Sequence, residues 1–139
     1  MTHSPSPLEG SAADRVAALT PENPYLSTER KPRLLIVGAG MMGREHLRVS
    51  QLLGWADVQG IVDPDGGSLE WACADWRLLT NAPLTIYRDL NEACGDEAVD
   101  AIVIATPNHT HRDVLHAVAS SHKPVLLEKP MATTLADAM

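Results

Sequence analysis

An apolar run that ends in a cluster of glycines constrains this chain more than any other feature. Residues 34–43 read Leu-Leu-Ile-Val-Gly-Ala-Gly-Met-Met-Gly, and the last six fit the pattern G-x-G-x-x-G. The pattern predicts a strand that turns sharply into a helix. Its first glycine permits a tight turn, its second lets backbone approach a pyrophosphate, and its third lets the helix pack close to the strand. The N-terminus of such a helix attracts anions, so the stretch predicts a phosphate-binding turn.

Composition limits the classes of protein to which the chain can belong. The 139 residues are 45% apolar and 21% charged, which is typical of a soluble globular domain. The net charge of −7 argues against a nucleic-acid surface, which normally needs a basic stripe. The N-terminus lacks the pattern of a secretory signal, and the longest apolar run is too short to span a bilayer. We therefore expect a cytoplasmic protein that binds neither nucleic acid nor membrane.

The two ends of the chain differ in composition. Residues 1–32 are rich in proline and poor in large apolar side chains, so we predict a flexible N-terminal arm there. Residues 33–139 form the predicted domain. Its two cysteines, Cys73 and Cys94, lack zinc spacing and are interpreted as buried reduced thiols.

Strands and helices alternate along the predicted domain, without a hairpin signal. This pattern predicts an α/β fold, a doubly wound parallel sheet of the Rossmann type with about five strands. Predicted helices begin at the N-caps Ser68, Asp89 and Thr133 or Thr134, and Gly54 ends the first long helix. We expect core-facing side chains at Leu47, Leu52 and Leu53, and a shared apolar face at Trp71, Leu78 and Leu79. The predicted strands cover residues 33–37, 58–62, 84–87, 99–105 and 124–127.

Asp63 directly follows the second predicted strand, about 20 residues after the last glycine of the turn. An acidic residue at this distance binds the adenosine ribose hydroxyls in dinucleotide-binding domains. The sequence Asp-Pro-Asp-Gly is also good turn chemistry, and the alternative is a turn aspartate. With the glycine turn at the right distance we favour the ribose role. A carboxylate here repels a 2′-phosphate, which favours NAD over NADP.

Ligands of parallel sheets bind beyond the carboxyl ends of the strands. The glycine turn, Asp63, the loop 106–111 and the loop 128–130 all fall at such ends. Lys129 follows the last predicted strand, where its ammonium could donate to a substrate oxygen or take part in proton transfer. On position alone, a solvated lysine paired with Glu128 is an equal alternative. The histidines show no metal-ligand spacing, so no metal is predicted, and His46 is interpreted as a surface or capping residue.

Three motifs together resemble the Gfo/Idh/MocA family, the glucose–fructose oxidoreductase and inositol dehydrogenase group. They are Gly-Ala-Gly-Met-Met-Gly-Arg-Glu-His, Ala-Thr-Pro-Asn-His-Thr-His and Leu-Leu-Glu-Lys-Pro-Met-Ala, and the likeness covers Arg33 to Met139. The resemblance implies a Rossmann domain that binds NAD or NADP, with hydride transfer to or from a sugar, polyol or related substrate. It also implies a catalytic Lys129, which helps to position cofactor and substrate, and a cis bond between Lys129 and Pro130.

The same resemblance implies which residues contact the cofactor. The glycine turn would line the pyrophosphate, Asp63 would meet the ribose, and the two later loops would flank the nicotinamide. The implied cofactor-binding residues are Gly38, Ala39, Gly40, Met41, Met42, Gly43, Asp63, Thr106, Pro107, Asn108, His111, Glu128, Lys129 and Pro130.

Members of the family carry a second α/β domain, and the sequence stops before the position where it would start. We therefore expect either a fragment of a longer protein or a truncated gene product. On its own the chain should bind cofactor but turn over poorly, with a poorly covered fifth strand that favours homo-oligomers. The alternative function is a dinucleotide-binding module or remnant without turnover. An S-adenosylmethionine methyltransferase shares the glycine turn but has no use for Glu-Lys-Pro.

Overall fold

The computed structural model describes residues 30–139, which form a five-stranded parallel sheet with helices packed on both faces. All but the last three residues of the predicted arm lie outside the described residues, so the arm stays a prediction. The strands are β1 (Arg33–Val37), β2 (Asp57–Val62), β3 (Thr85–Ile86), β4 (Ala101–Ile104) and β5 (Val125–Leu127). The helices are α1 (Met41–Leu53), α2 (Gly66–Leu79), α3 (Leu90–Gly95), α4 (His111–Ala119) and α5 (Leu135–Ala138).

The strand order is β3-β2-β1-β4-β5, the order of a doubly wound sheet. The chain first builds outward from β1 through β2 to β3, then crosses to the other side of β1 for β4 and β5. The order therefore reverses between β1 and β4, where Val37 is in register with Ile104. A crevice opens at such a reversal beyond the carboxyl ends of the strands, and this is where ligands bind in these folds. The predicted fold class is confirmed.

Local capping explains where most helices begin and end. Gly54 ends α1 with φ +66°, as the predicted C-terminal glycine requires. The side chains of Asp89 and Thr134 cap α3 and α5 by accepting from backbone N–H groups, as predicted. The prediction for α2 is wrong, because Asp65 caps the helix and Ser68 only donates its backbone N–H to that carboxylate. The helix consequently starts two residues before Ser68, at Gly66.

The core has two layers, one on each face of the sheet. Leu35, Ile102 and Ile104 pack towards α3 and α4, while Ile36, Ile61 and Val103 pack towards α1 and α2. Burying each such side chain contributes about 1.5–3 kcal/mol relative to leaving it exposed. Alternate residues of one strand therefore serve opposite layers, and the continuous apolar runs in the sequence have this cause.

Two predictions about helix faces are wrong. Leu47 is fully buried, but Leu52 and Leu53 are exposed near the end of α1, beyond the cover of the sheet. On α2 the buried aromatic residue is Trp76, whose indole N–H donates to the Ala82 carbonyl at 2.8 Å. Trp71 and Leu78 are exposed instead, because the face that contacts the sheet is set by Ala72 and Trp76.

Three further features complete the described part of the fold. Cys73 and Cys94 are free, as predicted, but both are only half-buried. The edge strand β5 leaves Leu126 exposed. Within residues 30–139, every helix is too short or too polar to cross a bilayer.

Candidate functional site

The three glycines of the turn after β1 meet three different steric requirements. Gly38 has φ +102°, and a Cβ there would lie 2.7 Å from the Ala105 carbonyl oxygen of the β4 loop. A Cβ on Gly43 would overlap the Gly38 carbonyl oxygen, so α1 lies directly on the turn. A Cβ on Gly40 would face open space, with no described atom within 4 Å apart from its chain neighbours. The first and third glycines close the turn, and the second leaves room for a ligand.

The N-terminus of α1 opens towards this space. It starts at Met41 after Gly40, and among the described residues no side chain caps it. No acidic residue lies in its first turn. Its first backbone N–H groups therefore remain available as donors, and the helix dipole adds a partial positive charge. This arrangement suits a phosphate group.

Asp63 lies at the end of β2, beside the glycine turn. Its Oδ2 accepts from the Ala39 backbone N–H at 2.7 Å, and its Oδ1 accepts from the Asp65 backbone N–H at 2.8 Å. Each carboxylate oxygen keeps a further lone pair for another donor. Asp63 is thus the turn aspartate of the alternative interpretation and also a free acceptor at the rim, so the two roles are compatible.

A single cleft of about 840 Å³ joins the glycine turn, Asp63 and the loop after β4. Its volume lies in the range of cofactor sites, roughly 300–1,000 Å³. Ala39 and Gly43 are buried behind the turn and do not line it. The predicted residues that line the cleft are Gly38, Gly40, Met41, Met42, Asp63, Thr106, Pro107 and Asn108.

Several residues of this cleft were not predicted from the sequence. Asp65 and Ser68 line it from the start of α2, and Arg88 and Asp89 line it from the loop after β3. The rule that ligands bind beyond strand ends would have found Arg88, since it follows Tyr87 just beyond β3. Val114 lines the cleft from α4, and its apolar periodicity alone did not indicate this position.

The loop after β4 is held by its own hydroxyl groups. Thr110 Oγ1 lies 2.8 Å from Thr106 Oγ1 and 2.8 Å from the Pro107 carbonyl oxygen. A short 3₁₀ turn, Asn108–Thr110, follows and leads into α4. Pro107 and Asn108 are exposed at the cleft.

His111, predicted at the nicotinamide side, is fully buried and does not line the cleft. Its Nδ1 lies 2.7 Å from the Pro130 carbonyl oxygen, and its Nε2 lies 2.9 Å from the Thr106 carbonyl oxygen. The expectation that His111 itself flanks the cofactor does not fit this geometry. The ring instead joins the loops after β4 and β5.

Glu128, Lys129 and Pro130 lie at the same edge of the sheet but outside the cleft lining. Glu128 Oε1 is 2.8 Å from His46 Nε2, and this hydrogen bond is the main cause that lowers the pKa of Glu128. His46 is thus a partly exposed residue outside the cleft lining, as predicted for a surface histidine, and its imidazole pairs with Glu128. Lys129 is exposed, and its backbone N–H donates to Glu128 Oε2 at 3.2 Å. The Lys129–Pro130 bond is cis, as the resemblance implied.

This arrangement can bind a molecule with a diphosphate and a ribose. The helix N-terminus supplies donors for the diphosphate, and Asp63 supplies an acceptor for ribose hydroxyls. Arg88 adds a cation at the far end of the cleft, paired with Glu92 at 3.3 Å. Within residues 30–139, no group of three or more His, Cys, Asp or Glu side chains is placed to hold a metal ion.

Comparison with known proteins gives the same assignment. A family model described as an oxidoreductase family with an NAD-binding Rossmann fold matches residues 32–139. Inositol 2-dehydrogenase 1 of Saccharopolyspora erythraea is 35% identical over 108 residues, which are 77% of this chain and 31% of that protein. The rhizopine catabolism protein MocA of Rhizobium meliloti is 32% identical over 107 residues, 76% of this chain and 31% of that protein.

Solved structures agree with these sequence relatives. The myo-inositol dehydrogenase of Lactobacillus casei, solved with NAD(H) and myo-inositol, superposes with a TM-score of 0.67 at 27% identity. The match covers 78% of this chain and 30% of that chain. An NAD-binding protein from Listeria innocua gives a TM-score of 0.66 at 32% identity, again over 78% and 30%. This chain thus spans about a third of the length of the relatives it matches.

Proposed function

The chain belongs to the Gfo/Idh/MocA family as its NAD-binding Rossmann domain, and from this premise we propose that it serves hydride transfer between nicotinamide and a sugar, polyol or related substrate. One observation carries the proposal. A single cleft joins the glycine turn, Asp63 and the loop 106–108, which are the parts that a nicotinamide dinucleotide needs. The bound nicotinamide ring accepts or donates the hydride, and the protein binds and orients both reactants.

The residues have different roles according to their positions along the cleft. The N–H groups at the start of α1 hold the diphosphate, and Asp63 accepts from the ribose hydroxyls. Thr106, Pro107 and Asn108 border the nicotinamide half of the cleft. Lys129 holds or moves the proton of the substrate hydroxyl, since an exposed ammonium beyond β5 is free to reach a substrate oxygen.

The names of the relatives suggest the substrate class. Inositol 2-dehydrogenases recur among them, and one related structure was solved with myo-inositol. A cyclic polyol is therefore the first substrate to test. Homo-oligomers formed through the exposed edge strand β5 stay a prediction, as does the cytoplasmic location.

Cofactor titration tests the proposal directly. NADH and NADPH fluorescence titrations of the full chain should show binding below about 1 mM, with NADH preferred because Asp63 repels a 2′-phosphate. Asp63→Ser should weaken NADH binding about tenfold or more, and NADPH binding less. Asp57→Ser, an exposed aspartate at the opposite end of β2, is the matched control. Equal losses for both cofactors would exclude the ribose role of Asp63.

One observation favours a second function, a dinucleotide-binding module without turnover. Lys129 lies outside the lining of the cleft, although the proposed chemistry needs its ammonium beside the nicotinamide. Reduction of NAD by the chain with myo-inositol, followed at the absorbance of NADH, distinguishes the two functions. Turnover that Lys129→Met abolishes and Lys123→Met retains supports the enzyme. Cofactor binding without such turnover supports the module.

A further inference from the structure

The segment Glu128–Pro130 leaves the sheet at its edge and has little packing of its own. It follows β5, whose one ladder partner among the described strands is β4. The Glu128 backbone N–H extends that ladder by donating to the Ile104 carbonyl oxygen at 3.0 Å. Lys129 and Pro130 are exposed beyond this point. The position of Lys129 therefore depends on a few polar contacts.

One contact comes from α1, the helix whose N-terminus opens on the cleft. His46 reaches across 82 residues of sequence to Glu128. The two side chains are 24% and 19% exposed, so water competes weakly for their hydrogen bond. The second oxygen of Glu128 accepts from the Lys129 backbone N–H. The carboxylate thus links the phosphate-binding helix to the backbone of Lys129.

The other contact comes from the start of α4. The buried ring of His111 lies between the Pro130 and Thr106 carbonyl oxygens. Thr106 borders the cleft, whereas Pro130 directly follows Lys129. A neutral imidazole donates through one nitrogen only, so the ring donates to one of these carbonyl oxygens and packs against the other. The ring thus lies between the cleft and the far side of Lys129.

We propose that His46 and His111 are positioning residues, which hold Lys129 between the phosphate-binding helix and the loop after β4. The inference rests on the proposed function, because it gives Lys129 a task that requires a fixed location. His46 fixes the position of residues 128–130 relative to the diphosphate, and His111 fixes their position relative to the nicotinamide half of the cleft. Neither imidazole touches the reactants, and each acts through the backbone of residues 128–130.

The first experiment measures the segment without cofactor. The backbone N–H groups of Glu128 and Lys129 donate to the Ile104 carbonyl oxygen and to Glu128 Oε2. Their hydrogen exchange, followed by NMR on the full chain, should accelerate about tenfold in His46→Leu, which removes the hydrogen bond to Glu128. His46→Gln keeps an N–H donor and should restore slow exchange. His116→Leu removes an exposed imidazole of α4 and should change nothing. Unchanged exchange in His46→Leu would overturn the role of His46.

His111 is buried, and its variants risk global unfolding, so the wild-type ring is measured instead. An imidazole N–H held against a carbonyl oxygen should exchange at least about tenfold more slowly than the exposed ring of His116. Equally fast exchange of the two rings would overturn the role of His111.

The second experiment separates positioning from stability. NADH affinity should fall several-fold in His46→Leu and recover in His46→Gln, with urea unfolding measured in parallel. An affinity equal to that of the wild type would overturn the positioning role, whatever the stability. If the wild-type chain binds no NADH, the proposed function fails, while the exchange measurements still decide whether the two histidines hold the segment.

Discussion

The cleft beside the glycine turn and the segment Glu128–Pro130 lie at the same edge of the sheet but are built differently. The cleft is shaped by backbone, since Gly38 and Gly43 allow β1, α1 and the β4 loop to approach within contact distance. The segment is held by side chains that come from distant parts of the sequence, namely His46 and His111. The difference teaches that the binding half tolerates no added atoms at Gly38 and Gly43, whereas the half that carries Lys129 depends on a few hydrogen bonds.

The largest expected effect tests the backbone construction of the cleft. Gly43→Ala places a Cβ on the Gly38 carbonyl oxygen, and neither backbone can move without separating α1 from β1. We expect a loss of about 3 kcal/mol or more in the free energy of unfolding. Urea denaturation followed by tryptophan fluorescence measures it. A loss below about 1 kcal/mol would show that the turn adapts to the added methyl group, and would contradict the claim that backbone contacts fix the shape of the cleft.

Gly40→Ala separates binding from folding within the same turn. A Cβ at Gly40 meets no described atom within 4 Å apart from its chain neighbours, so the free energy of unfolding should change by less than about 0.5 kcal/mol. NADH affinity should nevertheless fall about tenfold, because the methyl group occupies the space that a phosphate needs. A parallel NADH titration and urea denaturation check both values. Unchanged affinity would contradict the position assigned to the diphosphate.

Two lysines provide a matched test of the other half. Lys123 Nζ donates to the Asp96 carbonyl oxygen at 2.6 Å, whereas Lys129 is exposed and has no side-chain hydrogen bond within residues 30–139. Lys123→Met should cost about 1 kcal/mol in the free energy of unfolding, and Lys129→Met less than about 0.5 kcal/mol. Thermal unfolding of the two variants, followed by circular dichroism, gives the comparison. A larger loss for Lys129→Met would assign that lysine a structural role.

The smallest expected effect is a pH dependence at Glu128. Its pKa is lower in the folded chain, chiefly because of the hydrogen bond from His46, so the unfolded chain takes up this proton first as the pH falls. The ionised Glu128 therefore stabilises the folded chain above the ordinary pKa of a glutamate, 4.5, and this stabilisation is lost as the pH falls below that value. The free energy of unfolding, measured in urea between pH 6 and pH 3, should decrease less steeply with falling pH in Glu128→Gln than in the wild type. Glu97→Gln, at an exposed carboxylate, should leave the slope unchanged.

The difference between the cleft and the segment Glu128–Pro130 explains which parts of the site could be predicted from the sequence. The glycine turn, Asp63 and the loop 106–108 were found from sequence, because strand ends and glycine spacing are local properties. The pairing of His46 with Glu128 spans 82 residues, and no local spacing encodes it. The prediction of an apolar face at Trp71 was wrong for a related reason, since Trp76 is the buried tryptophan of α2. Both are apolar on one helix, and only the tertiary packing of α2 selects between them.

The two hydrogen bonds of Asp63 have a consequence for the thermodynamics and the engineering of cofactor choice. Because both oxygens are already fixed by backbone N–H groups, the side chain loses little conformational entropy when a ribose arrives. That saving is about 0.5–1.5 kcal/mol for a flexible side chain, or about two- to tenfold in affinity. Redesign towards NADP therefore needs a new partner for the Ala39 N–H as well as the removal of the negative charge.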